Sequence, residues 1–242
     1  MEETKKLNFH QILWYFIIFS IIGLLIETLF CYFTSGVIES RKGLLWGPFC
    51  PVYGVGAVIL IILLNSVDTN KYFKLFIYGF FIGSILEYLM SYVLEAMYSV
   101  RFWDYTYTGN SINGRICILY SLFWGVLSIF LLKVAKPKID NLINRIPKSI
   151  EKKMDIFITI FFIINVIVTV WAIQTYENRA AEIYNGTYNN KINSNSTNNS
   201  IFKKIEEKHF TNERMKKTFP NLRIKDKDGK EIWIVADEYN PL

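Results

Sequence analysis

Residues 11–33, QILWYFIIFSIIGLLIETLFCYF, and residues 73–97, FKLFIYGFFIGSILEYLMSYVLEAM, decide the fold of this chain. Either stretch is long enough to cross about 30 Å of hydrocarbon as a helix that rises about 1.5 Å per residue. Further apolar runs occupy residues 50–65, 116–134 and 155–175. Because 52% of the residues are hydrophobic and 20% are charged, the sequence predicts an all-α polytopic membrane protein with about five transmembrane helices.

The chain divides into three parts by composition. A transmembrane domain is expected over residues 1–175, and its first run should be retained because it contains Glu27 and lacks the small-x-small site of a cleaved signal peptide. Residues 176–200 are predicted to be an Asn/Ser-rich linker. Residues 201–242 are predicted to form a small extracytoplasmic tail, in which a helix over 201–218 precedes a β-hairpin of LRIK and EIWIV.

Positive charge is concentrated between the fourth and fifth runs, at Lys133, Lys136, Lys138, Arg145, Lys148, Lys152 and Lys153. Basic residues prefer the cytoplasmic side of a bacterial cell membrane, which places the N-terminus inside and, after five spans, the tail outside. The net charge of +6 therefore orients the protein in the lipid bilayer and contacts anionic lipid. It does not indicate a nucleic-acid partner.

The membrane part contains an internal repeat. A shift of 60 residues places the first run on the third, and both then show the pattern G-x-x-x-E-x-L-x-x-Y, from Gly23 to Tyr32 and from Gly83 to Tyr92. A looser match follows, in which Arg41 and then Tyr53-Gly54-Val55 correspond to Arg115 and then Trp124-Gly125-Val126. Because both units begin on the same side of the membrane, the sequence predicts a parallel repeat.

Glu27 and Glu87 occupy equivalent positions in this repeat, at membrane depth. Each follows a glycine by four residues, so the glycine and the carboxylate share one helix face. A charge there is costly unless it is paired or hydrated, which makes it a functional hypothesis. Three interpretations stay open: the carboxylates bind or gate a solute or proton, they only lock helices together through Arg41, Arg115 or tyrosine hydroxyls, or they lie nearer the headgroups.

Glycine and proline interrupt the chain before the second run. Residues 41–54, RKGLLWGPFCPVYG, are either a re-entrant segment that lines a site or a surface loop before a proline-rich helix start. Their counterpart, FWDYTYTGNSINGR at residues 102–115, contains Trp103, Asp104 and Asn113. It is either a second segment of this kind or an aromatic belt at the membrane interface.

Several kinds of chemistry have no motif in this sequence. There is no G-x-x-x-x-G-K-[ST], so the chain is not itself a P-loop ATPase. The histidines are His10 and His209, and none of the three cysteines forms a C-x-x-C pair. We therefore expect no catalytic residue, no metal centre and no cofactor.

The sequence resembles a known family in several of these segments. They are Tyr15 to Glu27, Arg41-x-Gly-Leu-Leu-x-Gly-Pro-x-x-Pro-x-Tyr-Gly-x-Gly, Trp103-Asp104-Tyr105, Asn113-Gly114-Arg115-Ile116 and Ser121-Leu122-x-Trp124-Gly125. All of them resemble the CmpB-like family of type IV ABC-transporter permeases of Firmicutes. The resemblance covers roughly residues 12–137. The family usually has an asparagine before the first arginine, where this chain has Ser40.

The resemblance implies a permease-like subunit, not an enzyme, that moves an unknown solute with a separate ATP-binding subunit. The basic loop 133–153 is the expected docking surface, and the small number of spans implies a homo-oligomer or a heteromeric membrane partner. Three alternatives stay open: an envelope scaffold or sensor, a membrane enzyme acting on lipid, and an ATP-independent secondary transporter. The candidate residues for binding or gating are Glu27, Glu87, Arg41, Arg115, Tyr53, Trp103, Asp104, Asn113 and Trp124.

Overall fold

The computed structural model describes residues 6–98, 100–185 and 201–224, which are almost entirely helical. The helices are α1 (Phe9–Ser35), α2 (Pro51–Leu64), α3 (Tyr72–Tyr98), α4 (Ile118–Phe130), α5 (Lys136–Ile143), α6 (Lys148–Tyr184), α7 (Ile201–His209) and α8 (Asn212–Thr218). The described residues also include the short strands β1 (Val100–Arg101), β2 (Ser111–Ile112), β3 (Ile116–Cys117) and β4 (Arg223–Ile224). Leu131–Ala135 forms a π-helical turn between α4 and α5.

The long helices match the apolar runs of the sequence. Within the described ranges, 4 helices are long and apolar enough to cross a membrane: Phe9–Ser35, Tyr72–Ala96, Ile118–Ile143 and Lys148–Tyr184. Helix α2 is a shorter apolar helix of 14 residues, which as a helix extends over about 21 Å. The predicted all-α, multi-pass membrane fold is thereby confirmed.

Local signals set the limits of α1. Asn8 and Gln11 form a capping box, in which the Asn8 side chain accepts from Gln11 N at 2.8 Å and Gln11 Oε1 accepts from Asn8 N at 3.1 Å. The helix ends at Gly36, whose φ of 74° lies in the left-handed region that glycine adopts at helix ends. Between these signals the helix is apolar enough to remain in the bilayer.

The fourth span is longer than its apolar run suggests. The sequence predicts an end near residue 134, whereas the helical path continues through the π-helical turn to Ile143. Ile139 and Ile143 are buried in the core that α1, α2 and α4 share. Burial of this apolar stripe explains why the helix continues into a basic sequence.

The tail packs against the end of α6. Phe210, Met215 and Phe219 are buried in one apolar cluster with Tyr176 and Ala180 of that helix. The predicted helix over 201–218 is two helices, and Thr211 caps the second by accepting a hydrogen bond from Arg214 N at 3.2 Å. Part of the first predicted tail strand is β4, and it pairs antiparallel with β1. The second predicted tail strand lies outside the described residues.

The connections collect at two opposite ends of the bundle. At one end, the tail contacts the α1–α2 connection, where Ser40 Oγ donates to Thr218 O at 2.8 Å. The α3–α4 connection is at the same end, because it contains β1. At the other end, the start of α1 meets the start of α6, where His10 contacts Asp155.

Candidate functional site

Helices α1 and α2 pack as one pair, and α3 and α4 pack as a second pair; we call them the first and second helix pairs. In the first pair, a Cβ at Gly23 would overlap the Tyr53 side chain. In the second pair, a Cβ at Gly83 would overlap Trp124 in the same way. Both glycines are therefore required for the close approach of the two helices.

A further glycine in each pair repeats this correspondence. A Cβ at Gly54 would meet the carbonyl oxygen of Phe16, and a Cβ at Gly125 would lie 3.0 Å from that of Phe76. These contacts connect positions that the sequence alignment of the two units made equivalent. They support the predicted parallel repeat, which stays a prediction.

The two glutamates meet the aromatic residues that pack on these glycines. Tyr53 forms a side-chain hydrogen bond with Glu27. Trp124 Nε1 donates to Glu87 Oε2 at 3.1 Å, and the Tyr105 hydroxyl donates to Glu87 Oε1 at 2.7 Å. We refer to these five residues, Glu27, Tyr53, Glu87, Tyr105 and Trp124, as the carboxylate cluster.

The two carboxylates come from different helix pairs and bond aromatic residues, Tyr53 and Trp124, that border one cavity. Glu27 also interacts electrostatically with the positive charge of Arg41. Glu87 is buried and accepts its hydrogen bonds from neutral donors; among the residues that the structure describes, it has no ion pair with a basic side chain. The cluster therefore combines two carboxyl groups with one nearby arginine, and Glu87 can accept a proton or a cation.

Tyr105 belongs to the connection between α3 and α4. Burial, and then the neighbouring Glu87 carboxylate, raises the pKa of the Tyr105 phenol. The phenol therefore stays protonated and donates to the carboxylate. Its ring stacks on Tyr120 with 4.6 Å between centroids, which holds the hydroxyl in place.

A second polar group lies nearer the end of the bundle that carries the tail. Arg115 Nη2 is 2.5 Å from Glu95 Oε2, and Arg101 Nε is 2.8 Å from Glu95 Oε1. Arg115 Nη1 also donates to Ser91 Oγ at 3.1 Å, and Asp104 lies 3.7 Å from Arg101. These residues, Ser91, Glu95, Arg101, Asp104 and Arg115, form a charge-balanced outer ion-pair group.

Residues 43–50 fold back into the bundle as irregular chain. Cys50 N donates to Ser20 O at 3.0 Å, and Ser20 is about 22 Å along α1 from its end at Ser35. Irregular backbone at such depth requires protein partners for its polar groups. Residues 43–50 are therefore a re-entrant segment, and the part of the interpretation in which they line a site stays a prediction.

Helix α6 supplies those partners. Asn165 Oδ1 accepts from Trp46 N at 3.2 Å, and Asn165 Nδ2 donates to Trp46 O at 2.8 Å. Thr169 Oγ1 accepts from Leu45 N at 2.9 Å. Asn165 is fully buried, and its amide makes the hydrogen bonds with Trp46 that neighbouring backbone would make in a regular helix or strand.

A cavity of about 70 Å³ adjoins the carboxylate cluster. Its walls come from α1, α2 and α4, and they are apolar except where Tyr53 and Trp124 line them. Both of these residues also bond a carboxylate. At its rim lie Ile26 and Phe130, which are exposed on the surface of the bundle. The cavity is thus continuous with the lipid-facing surface.

One group of side chains could hold a metal ion at the other end of the bundle. His10, Glu151 and Asp155 bring one ligand atom each within 4.8 Å of one another. His10 Nδ1 contacts the Asp155 carboxylate oxygens at 2.8 and 2.9 Å, and Trp14 Nε1 donates to Asp155 at 3.1 Å. Hydrogen bonds account for this arrangement without an ion.

The structure divides the residues proposed from the sequence between the two polar groups. Glu27, Tyr53, Glu87 and Trp124 come together in the carboxylate cluster, with Arg41 close to Glu27. Arg115 and Asp104 belong to the outer ion-pair group. Trp103 Nε1 donates to Arg115 O at 3.0 Å, and Asn113 Nδ2 donates to Tyr88 at 3.0 Å. The repeat aligns Glu27 with Glu87 and Arg41 with Arg115, but Arg115 pairs with Glu95 and not with Glu87.

Sequence reasoning missed four residues that shape this region: Tyr105, Glu95, Asn165 and Thr169. The last two had a visible signal, since they are polar residues four apart inside the apolar run 155–175. Glu95 follows Glu87 on the same helix face, and its spacing gave no indication of its partner. Tyr105 was part of an aromatic segment whose path the sequence left open.

Comparison with known proteins connects this geometry to a family. A family model described as "Putative ABC-transporter type IV" matches residues 14–170. The chain belongs to this family. The matched residues of this type IV family member include both helix pairs, the re-entrant segment and most of the apolar part of α6. A search of the curated proteins found no match, and a search of the solved structures found none. Family and fold together identify a transporter-like, multi-pass membrane protein.

Proposed function

We propose that this chain is the membrane-spanning subunit of an ABC transporter, which moves a solute past the carboxylate cluster with energy from a separate ATP-binding subunit. The observation that carries the proposal is the cluster itself. Glu27 and Glu87 come from different helix pairs, and they bond Tyr53 and Trp124, which line one cavity. Isolated intramembrane carboxylates are costly, and a solute path is a common reason for a membrane protein to contain them.

The charge distribution supports an orientation for this transporter. Lys133, Lys138, Arg145, Lys148, Lys152 and Lys153 are exposed at the end of the bundle that carries the N-terminus; we call these residues the basic face. Positive residues favour the cytoplasm. The N-terminus is therefore cytoplasmic in this proposal, and the tail lies outside.

The basic face also provides a docking surface for a partner. Two exposed apolar side chains flank the turn between α5 and α6: Leu142 in the last turn of α5 and Ile150 in the first turn of α6. Apolar anchors within a charged rim are typical of a site that binds another protein. The ATP-binding subunit is expected to bind here, and a second copy of this chain or another membrane subunit completes the transporter.

The first experiment is affinity purification from crosslinked native membranes, with identification of the recovered proteins. The test variant reverses three charges of the basic face, Lys148→Glu, Lys152→Glu and Lys153→Glu. Its matched control reverses three exposed lysines of the tail, Lys203→Glu, Lys204→Glu and Lys208→Glu. The proposal expects an ATP-binding protein with the wild type and the tail variant, and its loss with the basic-face variant.

ATP-independent secondary transport is a second candidate function. It is favoured by Glu87, which has neutral hydrogen-bond partners and could carry a proton across the membrane. Solute uptake by proteoliposomes that contain this chain without any ATP-binding subunit would support it. Recovery of cell-wall proteins alone in the purification would instead favour an envelope scaffold.

A further inference from the structure

We propose that the carboxylate cluster binds an amphiphilic organic cation, with its ammonium group between Glu27 and Glu87 and its hydrocarbon part in the adjoining cavity. The inference names the solute class of the proposed transport function and rests on that function. It is carried by the charge of the cluster, the composition of the cavity and the two side chains that connect them.

The carboxyl groups of the cluster favour a cation as the ligand. Glu27 and Glu87 bond Tyr53 and Trp124 respectively, and both aromatic residues line the same cavity. Arg41 lies near Glu27 and offsets one of the two charges. No basic side chain of the described ranges pairs with Glu87. A buried carboxylate without a cationic partner is unfavourable, and a bound monovalent cation would relieve it.

The cavity selects an organic cation over a metal ion. Its walls are apolar side chains from α1, α2 and α4, whereas Mg²⁺ and Ca²⁺ require several oxygen ligands or retained waters. An alkyl chain gains free energy by filling such a space. Because Ile26 and Phe130 at the rim are exposed, a longer chain can extend from the cavity toward the lipid.

Tyr53 and Trp124 join the two parts of the site. Each lines the cavity and each bonds one of the two carboxylates. A molecule in the cavity therefore contacts Tyr53 and Trp124, and each of these side chains bonds one of the two carboxylates. The aromatic rings add an attraction for a cation that a neutral molecule of the same shape does not experience.

Depth distinguishes a solute from a lipid headgroup as the source of the ammonium group. Glu87 is about 16 Å along α3 from the end of the helix at Tyr98. That position is close to the middle of a hydrocarbon layer of about 30 Å. A phosphatidylethanolamine headgroup lies at the surface of that layer, so we assign the site to a free amphiphilic amine.

The test uses a decylamine that carries a photoreactive diazirine on its chain. The full-length protein is placed in phosphatidylglycerol nanodiscs, which contain no ammonium headgroup, and labelled peptides are identified by mass spectrometry. The matched neutral probe is decanol with the same diazirine. We expect the amine to label the cavity residues of α1, α2 and α4 at a concentration at least about tenfold lower than the alcohol, which corresponds to about 1.4 kcal/mol.

Glu87→Gln removes the charge and keeps one oxygen that can accept from Trp124 Nε1, while its amide nitrogen can donate to the Tyr105 hydroxyl. It should raise the concentration of amine needed for labelling by about tenfold or more and leave labelling by the alcohol unchanged. Glu177→Gln on α6 is the control for loss of one glutamate and should change neither. Thermal unfolding in the same nanodiscs shows whether the variants are folded, and Glu27→Gln provides an independent variant if Glu87→Gln is not.

Equal labelling by amine and alcohol would overturn the inference, as would unchanged amine labelling in folded Glu87→Gln and Glu27→Gln variants. Replacing half of the lipid by phosphatidylethanolamine separates the sources: strong competition would show that a lipid occupies the site and would overturn the assignment to a solute. Failure of the proposed function has a different signature, because the partner purification then yields no ATP-binding protein while amine labelling persists.

Discussion

The two helix pairs pack in the same way and differ in the structure of the connection between their two helices. Each places a glycine of its long helix against an aromatic residue of its shorter helix, and each bonds that aromatic residue to a glutamate. In the first pair, the connection is a re-entrant segment held by α6. In the second, it is a β-hairpin held by the outer ion-pair group.

The starts of the shorter helices show how far this difference extends. Helix α2 begins at Pro51, just before Tyr53, while α4 begins at Ile118, more than one turn before Trp124. The helical turn that precedes Trp124 in α4 has no full counterpart before Tyr53, because the chain before Pro51 is irregular. Its polar groups must then be satisfied by other elements, whereas the second pair satisfies them within a helix. The helix contacts are thus shared by the two pairs, and the outer connections are specific to each.

The largest expected effect distinguishes the arginines of the two pairs. Arg115 is buried and bonds Glu95 and Ser91, whereas Arg41 has a longer contact of 3.5 Å with Glu39. We expect Arg115→Met to lower the free energy of unfolding by about 3 kcal/mol. Arg41→Met should lower it by about half as much, because Arg41 offsets the charge of Glu27 without an ion pair as short as that of Arg115. Titration with sodium dodecyl sulfate, followed by tryptophan fluorescence, measures both. Equal losses would mean that the two arginines have equivalent structural roles.

A smaller effect is expected from the support of the re-entrant segment. Asn165→Leu leaves Trp46 N and Trp46 O without their partners at membrane depth, which should cost about 2–3 kcal/mol. Thr159→Val on the same helix serves as the control, because Thr159 Oγ1 has no hydrogen-bond partner. Amide hydrogen exchange should speed up in residues 43–50 of the Asn165 variant and stay slow in the second helix pair. Faster exchange in both pairs would contradict the independence of the two connections.

The shared packing gives the most direct test of the predicted repeat. Gly23→Ala and Gly83→Ala introduce a methyl group against Tyr53 and Trp124 respectively. Either change should lower the free energy of unfolding by about 2 kcal/mol, since overpacking at a tight contact has this typical cost. Leu25→Ala, at an exposed position of α1, is the control and should have little effect. Losses that differ by more than about 1 kcal/mol would show that the two contacts are not equivalent.

The smallest effect concerns a single hydroxyl. Tyr53→Phe removes the hydrogen bond to Glu27 and keeps the ring on Gly23, so it should cost about 1 kcal/mol. Tyr32→Phe, at an exposed site on α1, is the matched control. The same unfolding titration measures both variants. No loss in Tyr53→Phe would indicate that Arg41 alone is enough to stabilise Glu27.

The helices and four of the five residues of the carboxylate cluster could be predicted from sequence because their signals are local. Apolar runs of sufficient length determine the spans, and a four-residue spacing places Gly23 with Glu27 and Gly83 with Glu87 on one face of each helix. The repeat then pairs Tyr53 with Trp124. These inferences need no knowledge of how distant segments meet.

The other contacts depend on the path of the chain between helices. Tyr105 reaches Glu87 across 18 residues, Arg115 reaches Glu95 across 20, and Asn165 reaches Trp46 across 119. The sequence allowed residues 41–54 to be a surface loop or a re-entrant segment, because glycine and proline exclude a helix without specifying depth. The buried amide of Asn165 decides between the two.

The continuous helix from Ile118 to Ile143 has a mechanical consequence. Trp124 lies about 10 Å before the π-helical turn, and the end of α5 lies about 12 Å beyond it. If that turn serves as the pivot, as such turns do when they bend a helix, the two arms of the lever are nearly equal. A push of a given size on the basic face would then move Trp124 by a similar distance in the opposite direction, with neither amplification nor loss.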